Sequence, residues 1–249
     1  MNSPQLTYYD MDAKVVAFST TRQGGCSTGN YAAFNINGYC GDHPMHIEKN
    51  RKALSEVLGI PESHLVMPHQ THGKTVCQVD APPTDVIEAT DALMTHVPGL
   101  CIGVSTADCI PVLLYDSDHH AASAIHAGWR GTLQRIVQTC IQQMEQTFGT
   151  QSSRLKAVIG PGISQECFEV GDEVYQQFAE ARFNMGSIAR KYEKWHIDLP
   201  LCNRLQLEEA GVTDIYMSGI CTYQQYEKYF SARRLGINSG RIYTAILLK

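Results

Sequence analysis

Two apolar runs near the middle of the chain, separated by only three residues, constrain the fold most strongly. Residues 100–106 and 110–115 are apolar on both faces, which is the pattern of strands buried from both sides. The chain must turn in the short link between them, which ends at Cys109. A third apolar run, residues 121–127, carries His126 near its end. We therefore expect Cys109 and His126 at strand ends, where polar groups can leave a sheet.

The rest of the chain alternates between strand and helix patterns without a linker or a repeat. Short apolar runs bounded by turn residues predict strands at 15–20, 65–68, 75–79, 100–106, 110–115, 121–127, 155–159, 215–218 and 242–248. Helical spacing with caps or glycine stops predicts helices at 46–58, 133–148, 170–182 and from the Asp198 cap to Gly211. We expect one α+β domain over residues 1–249, with mixed sheets and helices outside.

Composition and charge argue against several classes of protein. Hydrophobic residues make up 43% and charged residues 18%, as in ordinary globular domains, and a net charge of -5 argues against nucleic acid as a partner. We expect no signal peptide and no membrane partner, because no cationic start precedes an apolar stretch and no apolar run is long enough to span a bilayer. Nine cysteines, an odd number without a CxxC pair, predict reduced thiols in the cytoplasm. An oligomeric state is not predicted.

Cys109, His126 and a histidine of the segment His69-Gln-Thr-His72 form a donor set typical of a metal site. Two histidines and one thiolate can hold zinc and leave its fourth position open, which is the arrangement of a catalytic centre. We expect His72 to be the second histidine. If the segment is extended, His69 points to the opposite face and lines the pocket instead. Spacing alone does not establish that these segments converge.

Eight segments resemble the YfiH-like family, which is catalogued as laccase-domain or polyphenol oxidase proteins. The most specific are Thr-Ala-Asp-Cys-Ile-Pro at 106–111 and Ile-His-Ala-Gly-Trp-Arg-Gly at 125–131. The others lie at 21–25, 70–73, 90–93, 159–164, 168–171 and in the tail at 230–234 with 240–241. Asn238 and Ser239 depart from the family pattern, which bears only on the tail. The resemblance therefore covers nearly the whole chain.

This resemblance implies both a fold and an activity. The fold is a single-domain four-layer α/β/β/α sandwich with mixed sheets, also seen in the catalytic domain of cytotoxic necrotizing factor toxins. The family's zinc ligands correspond to His72, Cys109 and His126, which implies one zinc ion. Its activities are phosphorolysis of adenosine, inosine, guanosine and methylthioadenosine, and deamination of adenosine. The implied partners are small nucleosides and phosphate, and some members are implicated in hydrolysing a wrongly built cell-wall precursor.

Phosphorolysis also needs cations that place phosphate against C1′ of the sugar. Arg130 follows a glycine turn at the start of a predicted helix, where main-chain amides and a fixed positive charge favour an anion. We expect Arg130 and Arg22 to contact phosphate and His69 to contact the substrate. Three more arginines are further candidates, namely Arg233, Arg234 and Arg241.

Three alternatives for the reactive residues follow from the sequence. In a zinc enzyme Cys109 and His126 are ligands, and the neighbouring Asp108 serves as acid/base or orients a histidine. In a metal-free cysteine hydrolase Cys109 is the nucleophile and His126 its base, acting on an amide such as a miscoded cell-wall precursor. A copper phenol oxidase is disfavoured, because the chain has none of the His-x-His pairs that build multicopper sites. A non-catalytic interaction module is also disfavoured, because such a module has no need for a thiol or for two histidines at turn positions.

Overall fold

The computed structural model describes residues 3–249. Its strands are β1 (Leu6–Tyr9), β2 (Val15–Thr20), β3 (Leu65–Val66), β4 (Val76–Gln78), β5 (Ala92–Thr95), β6 (Cys101–Thr106), β7 (Ile110–Asp116), β8 (Ala121–Ala127), β9 (Lys156–Ile159), β10 (Glu169–Val170), β11 (Ala189–Lys191), β12 (Trp195–Ile197), β13 (Asp214–Met217) and β14 (Ile242–Leu248). Its α-helices are α1 (Pro44–Leu58), α2 (Trp129–Leu133), α3 (Ile136–Phe148), α4 (Asp172–Glu180), α5 (Met185–Ile188), α6 (Leu199–Glu209) and α7 (Ala232–Leu235). Within residues 3–249, no helix combines the length and apolar character needed to cross a membrane.

Two mixed sheets form the centre of the molecule. One has five strands in the order β1-β2-β14-β6-β3, and the other has six in the order β13-β9-β7-β8-β5-β4. Most neighbours are antiparallel, whereas β3 with β6, β4 with β5 and β13 with β9 are parallel pairs. A small third sheet has the order β10-β12-β11. The expectation of mixed sheets is confirmed.

The two large sheets pack face to face and are covered by helices on their outer faces. Alternate residues of β7 explain this, because successive side chains of a strand point to opposite faces. Leu113 belongs to the core between the sheets together with Ile102 of β6 and Ile246 of β14. Val112 belongs instead to the core formed with α3 and α6. Leu54 of α1 packs on the outer face of the five-stranded sheet. The predicted α/β/β/α layering is confirmed.

Strands β6 and β7, which correspond to the two apolar runs, lie in facing sheets. Strand β6 pairs with β14 and β3, whereas β7 pairs with β8 and β9. Every residue of both strands is buried, as the sequence predicts. The link at residues 107–109 therefore carries the chain from one sheet to the other, and Asp108 makes this passage with a φ of 89°.

The structure differs from the predicted elements in a few places. The helix predicted at 133–148 begins three residues later, as α3, because Arg135 adopts a left-handed conformation with a φ of 60° that separates it from the short preceding helix α2. The Asp198 cap is confirmed, since its carboxylate accepts the Leu201 N–H at 2.9 Å. Strands β1 and β5 and the small third sheet were not predicted.

Candidate metal centre and active-site cleft

Three metal-binding side chains converge at one end of the six-stranded sheet. The donor atoms of His72, Cys109 and His126 all lie within 4.8 Å of one another. Cys109 immediately precedes β7, His126 lies near the end of β8, and His72 lies in the loop between β3 and β4. The imidazoles of His72 and His126 meet edge to face, with their centroids 4.8 Å apart. Segments 37 and 17 residues apart therefore do converge.

Asp91, a buried carboxylate that the sequence reasoning did not single out, holds both histidines. Its Oδ1 lies 2.8 Å from Nδ1 of His126 and accepts the main-chain N–H of His72 at 2.9 Å. Its Oδ2 accepts the Gly73 N–H at 2.7 Å. His72 has a φ of 61°, so this carboxylate stabilises a loop conformation that costs energy for a residue with a Cβ. The available sequence signal was an aspartate directly before the short apolar stretch of β5.

The charges of this cluster are set by one another. Burial alone would raise the pKa of the Cys109 thiol, but His126 and His72 beside it lower that pKa to about 6. Burial would likewise lower the pKa of His126, but the Cys109 thiolate and the Asp91 carboxylate raise it to about 9. Without metal, Cys109 and His126 therefore form a thiolate–imidazolium pair near neutral pH. Burial would raise the pKa of Asp91, yet the hydrogen bond from His126 and those from main-chain amides lower it.

The donor set and the space around it fit a zinc-like ion. Because the Asp91 carboxylate only accepts hydrogen bonds when ionised, Nδ1 of His126 is its donor, which leaves Nε2 as the metal-binding nitrogen. Gly128 packs directly against the cluster: a Cβ there would lie 3.0 Å from Cδ2 of His72 and 3.1 Å from Sγ of Cys109. Two imidazoles and one thiolate are donors that zinc prefers.

The cluster opens into a cleft of about 680 Å³. His69 lies in its wall, outside the cluster, where its Nδ1 is 2.6 Å from Oε2 of Glu88. Asp108 also lines the cleft. Its Oδ1 accepts the Thr222 hydroxyl at 2.7 Å, and its Oδ2 accepts the Arg233 N–H at 2.7 Å. Asp108 thus ties the link between the sheets to the C-terminal segment.

Arg22 and Arg130, the expected phosphate contacts, are not among the residues that line this cleft. Arg22 donates from Nε to the Ala32 carbonyl at 2.8 Å and from Nη1 to the Tyr226 carbonyl at 2.7 Å. Arg130 is exposed and stacks its guanidinium on the Trp129 ring, 4.2 Å from the centroid. Their predicted contact with phosphate finds no support in this geometry.

Two other arginines, which the sequence offered only as further candidates, do line the cleft. Arg233 donates from both terminal nitrogens to the Glu169 carbonyl, each at 3.2 Å. Arg241 donates to the main-chain carbonyls of Ser239 at 2.6 Å and Ile237 at 2.9 Å. Both guanidinium groups are therefore held in place beside the cleft by neutral main-chain acceptors.

Comparison with known proteins agrees with this fold. A purine nucleoside phosphorylase of Bacteroides thetaiotaomicron is 46% identical over 244 residues, covering 93% of this chain and 90% of that protein. Adenosine deaminase RL5, from an unknown prokaryotic organism, is 42% identical over 248 residues, covering 94% of each. The crystal structure of Bacillus licheniformis hypothetical protein YfiH superimposes with a TM-score of 0.94 at 28% identity, covering 99% of this chain and 97% of that one. Residues 16–249 match the profile of one family, and the chain therefore belongs to the multi-copper polyphenol oxidoreductase laccase family.

Proposed function

We propose that this chain is a zinc-dependent purine nucleoside phosphorylase that also deaminates adenosine. Its proposed substrates are adenosine, inosine, guanosine and methylthioadenosine, together with phosphate. The observation that carries the proposal is the His72–Cys109–His126 cluster at the wall of a cleft large enough for a nucleoside. Relatives named purine nucleoside phosphorylase and adenosine deaminase match nearly the whole chain, which supports both activities.

His72, Cys109 and His126 would hold one zinc ion. When bound, zinc acts as a Lewis acid and lowers the pKa of a bound water to about 7. Asp91 fixes the ring of His126 and the loop of His72, so that both imidazoles are oriented before any metal arrives. The Cys109 thiolate is available near neutral pH because its histidine neighbours stabilise the charged form.

Phosphate and the departing purine need partners on the protein. We assign the phosphate to Arg233 and Arg241, because these fixed charges line the cleft whereas Arg22 and Arg130 do not. Asp108 remains our candidate acid/base. Each of its oxygens accepts one hydrogen bond and retains a further lone pair, so the carboxylate is held in place and can still accept a proton. We further propose that residues 1–249 act as one catalytic domain.

A cysteine hydrolase is the second candidate, because the lowered pKa of Cys109 and the adjacent His126 suit a nucleophile and its base. We favour the zinc enzyme, since two imidazoles and one thiolate form a ligand set that zinc prefers, whereas a thiol–imidazole dyad requires only one of the two histidines. We also propose a cytoplasmic location, which the odd number of cysteines without a CxxC pair supports.

The test combines metal analysis of the purified protein with a nucleoside panel assayed with and without phosphate. We expect about one zinc ion per chain, and release of free base with ribose 1-phosphate only when phosphate is present. Adenosine should also yield inosine. Chelation should abolish activity, and added zinc should restore it. Hydrolysis of an amide substrate by zinc-free protein, with an acyl adduct on the Cys109 sulfur and loss of activity when that thiol is alkylated, would establish the cysteine hydrolase instead.

A further inference from the structure

The cleft contains a feature that metal chemistry does not require. Tyr39 and His69 both line it, and their rings are stacked, with centroids 4.3 Å apart and planes inclined by 21°. Tyr39 is 47% exposed, so part of its ring is accessible from the cleft. The pair therefore presents a flat aromatic surface to the same space as the cluster.

Main-chain and side-chain hydrogen bonds fix this surface to strand β6 through a single residue, Ser105. Asn37 donates from Nδ2 to the Ser105 hydroxyl at 2.7 Å and accepts the Tyr39 N–H on its Oδ1 at 2.7 Å. Gln70, next to His69, accepts the Ser105 N–H at 2.7 Å and donates to the Ser105 carbonyl at 2.9 Å. Both rings are thus attached to neighbours clamped on one buried strand.

The two rings are also held from the outer side. Glu88 accepts a hydrogen bond from Nδ1 of His69 at 2.6 Å, and the His69 main-chain N–H donates to the Ile87 carbonyl at 2.9 Å. Burial, together with the Glu88 carboxylate, raises the pKa of the Tyr39 phenol, so this ring is neutral at physiological pH. The Tyr39 main-chain N–H and Nδ1 of His69 are therefore engaged, and each ring keeps free the face turned away from the other.

We propose that, in phosphorolysis, the purine ring of the substrate stacks on the Tyr39–His69 surface while its sugar faces the His72–Cys109–His126 cluster. This assignment rests on the proposed function, since it takes the cleft to be a nucleoside site. A rigid neutral ring suits stacking, because little conformational entropy is lost when a planar base settles on it. Stacking accepts any base with a π face, so one surface would serve adenine, hypoxanthine and guanine alike.

The experiment measures binding of adenosine, inosine and guanosine to the zinc-loaded protein in the absence of phosphate. Tyr39→Ala should weaken binding of all three by a similar factor, roughly tenfold, because the stacking surface is lost rather than a base-specific hydrogen bond. Tyr39→Leu, which keeps apolar bulk without a π face, should bind almost as weakly. Tyr39→Phe should bind like the unaltered protein. Zinc content, the melting temperature and the KM for phosphate should not change in these variants.

Tyr192→Ala is the matched control, because Tyr192 is 58% exposed and does not line the cleft. The proposal is overturned if Tyr39→Ala binds all three nucleosides as tightly as Tyr192→Ala does. It is equally overturned if Tyr39→Ala weakens the binding of only one of the three nucleosides, since that result indicates a base-specific hydrogen bond rather than stacking. If the unaltered protein binds no purine nucleoside at all, the proposed function fails, and this assignment fails with it for that distinct reason.

Discussion

Two aspartate–histidine pairs lie at opposite ends of the β7–β8 hairpin, yet only one belongs to the cleft. Asp91 and His126 are 2.8 Å apart at the open end, and Asp116 and His119 are 2.8 Å apart at the turn. Both carboxylates are fully buried, but the side chain of His126 is 3% exposed and that of His119 is 41% exposed. The pairs thus share chemistry and geometry and differ in their surroundings.

The surroundings decide what each pair does. Asp116 also accepts the main-chain N–H groups of Asp118 at 3.0 Å and His119 at 3.3 Å, so it closes the hairpin turn. Asp91 makes similar bonds to the His72 loop, but its histidine additionally adjoins a thiol. In the part of the chain that the structure describes, the only close group of three metal-binding side chains is the one beside Asp91. An aspartate–histidine pair becomes a candidate reactive centre here because Cys109 and His72 complete it.

Among these changes, removal of the Cys109 thiolate should reduce zinc affinity most at the open end of the β7–β8 hairpin. Cys109→Ala deletes one of three metal ligands, and we expect zinc affinity to fall by more than the roughly 10–100-fold that loss of a supporting partner costs. Activity should be lost with the metal. Elemental analysis and titration against a competing chelator measure both effects. Cys77→Ala, outside the cleft, is the control, and retention of zinc by Cys109→Ala would refute the ligand assignment.

Neutralising the two carboxylates compares the pairs directly. Asp91→Asn should lower zinc affinity about 10–100-fold, because the amide accepts a weaker hydrogen bond from Nδ1 and so orients the His126 ring poorly and makes it a weaker ligand. Asp116→Asn should leave zinc affinity unchanged and lower the free energy of unfolding by about 1–3 kcal/mol. Chelator competition and denaturant unfolding give the two quantities. Equal zinc affinity in the two variants would mean that Asp91, like Asp116, is purely structural.

A methyl group at Gly128 tests how closely the cluster is packed. Its Cβ would lie 3.0 Å from the His72 ring and 3.1 Å from the Cys109 sulfur, so the ligands must shift slightly. We expect Gly128→Ala to cost about 1 kcal/mol of zinc-binding free energy, the low end for overpacking. Gly186→Ala is the control, since a Cβ there meets only Asn184 at 3.4 Å. Identical zinc affinities in the two variants would show that the cluster accommodates the methyl group.

Proton release on zinc binding tests the charge pair. Because the pKa of Cys109 is lowered to about 6 and that of His126 is raised to about 9, the pair binds one proton between these values, on His126. Zinc must displace this proton, so affinity should rise with pH up to about 9 and then level off. Calorimetry at pH 7.5 in buffers of different ionisation enthalpy should give about one proton per zinc. No release would mean that His126 is already neutral.

The smallest effect concerns the acid stability of the hairpin turn. Burial would raise the pKa of Asp116, but its hydrogen bonds, including the one with His119, lower it. Its stabilisation is therefore complete above the unfolded-state pKa of about 3.9 and is lost as pH falls through the lower folded-state pKa. Asp116→Asn should flatten this part of the stability profile. An unchanged profile below pH 5, measured by denaturant unfolding, would contradict this role.

The layering and the cluster were accessible from the sequence for different reasons. Strands that are apolar on both faces must be covered on both sides. This pattern predicted that β6 and β7 lie in the interior, as they do. The turn after β6 indicated Cys109, and the end of the third apolar run, β8, indicated His126. The four-layer order came from the resemblance to a family rather than from periodicity, and the same resemblance implied the three ligands that the residue types had already suggested.

Other features depend on contacts that periodicity does not encode. Helical spacing continues without interruption through residues 133–148, so the break at Arg135 leaves no trace in the pattern. Asp91 resembles an ordinary residue at the start of a strand until β8 places His126 beside it. Arg22 and Arg130 were selected by charge and position along the chain, but the direction of a guanidinium is decided by its tertiary acceptors.

The link at residues 107–109 joins a sheet that carries reactive groups to a sheet that anchors the aromatic wall of the cleft. Strands β5, β7 and β8 of one sheet supply Asp91, Cys109 and His126, whereas Ser105 of β6 in the other anchors the aromatic wall. Most of the reactive groups therefore stand on one sheet and the wall is anchored to the other, while the loop between β3 and β4 contributes His69 to the wall and His72 to the cluster. Substitutions in the aromatic wall can therefore change which molecules the cleft admits while the reactive centre stays unchanged.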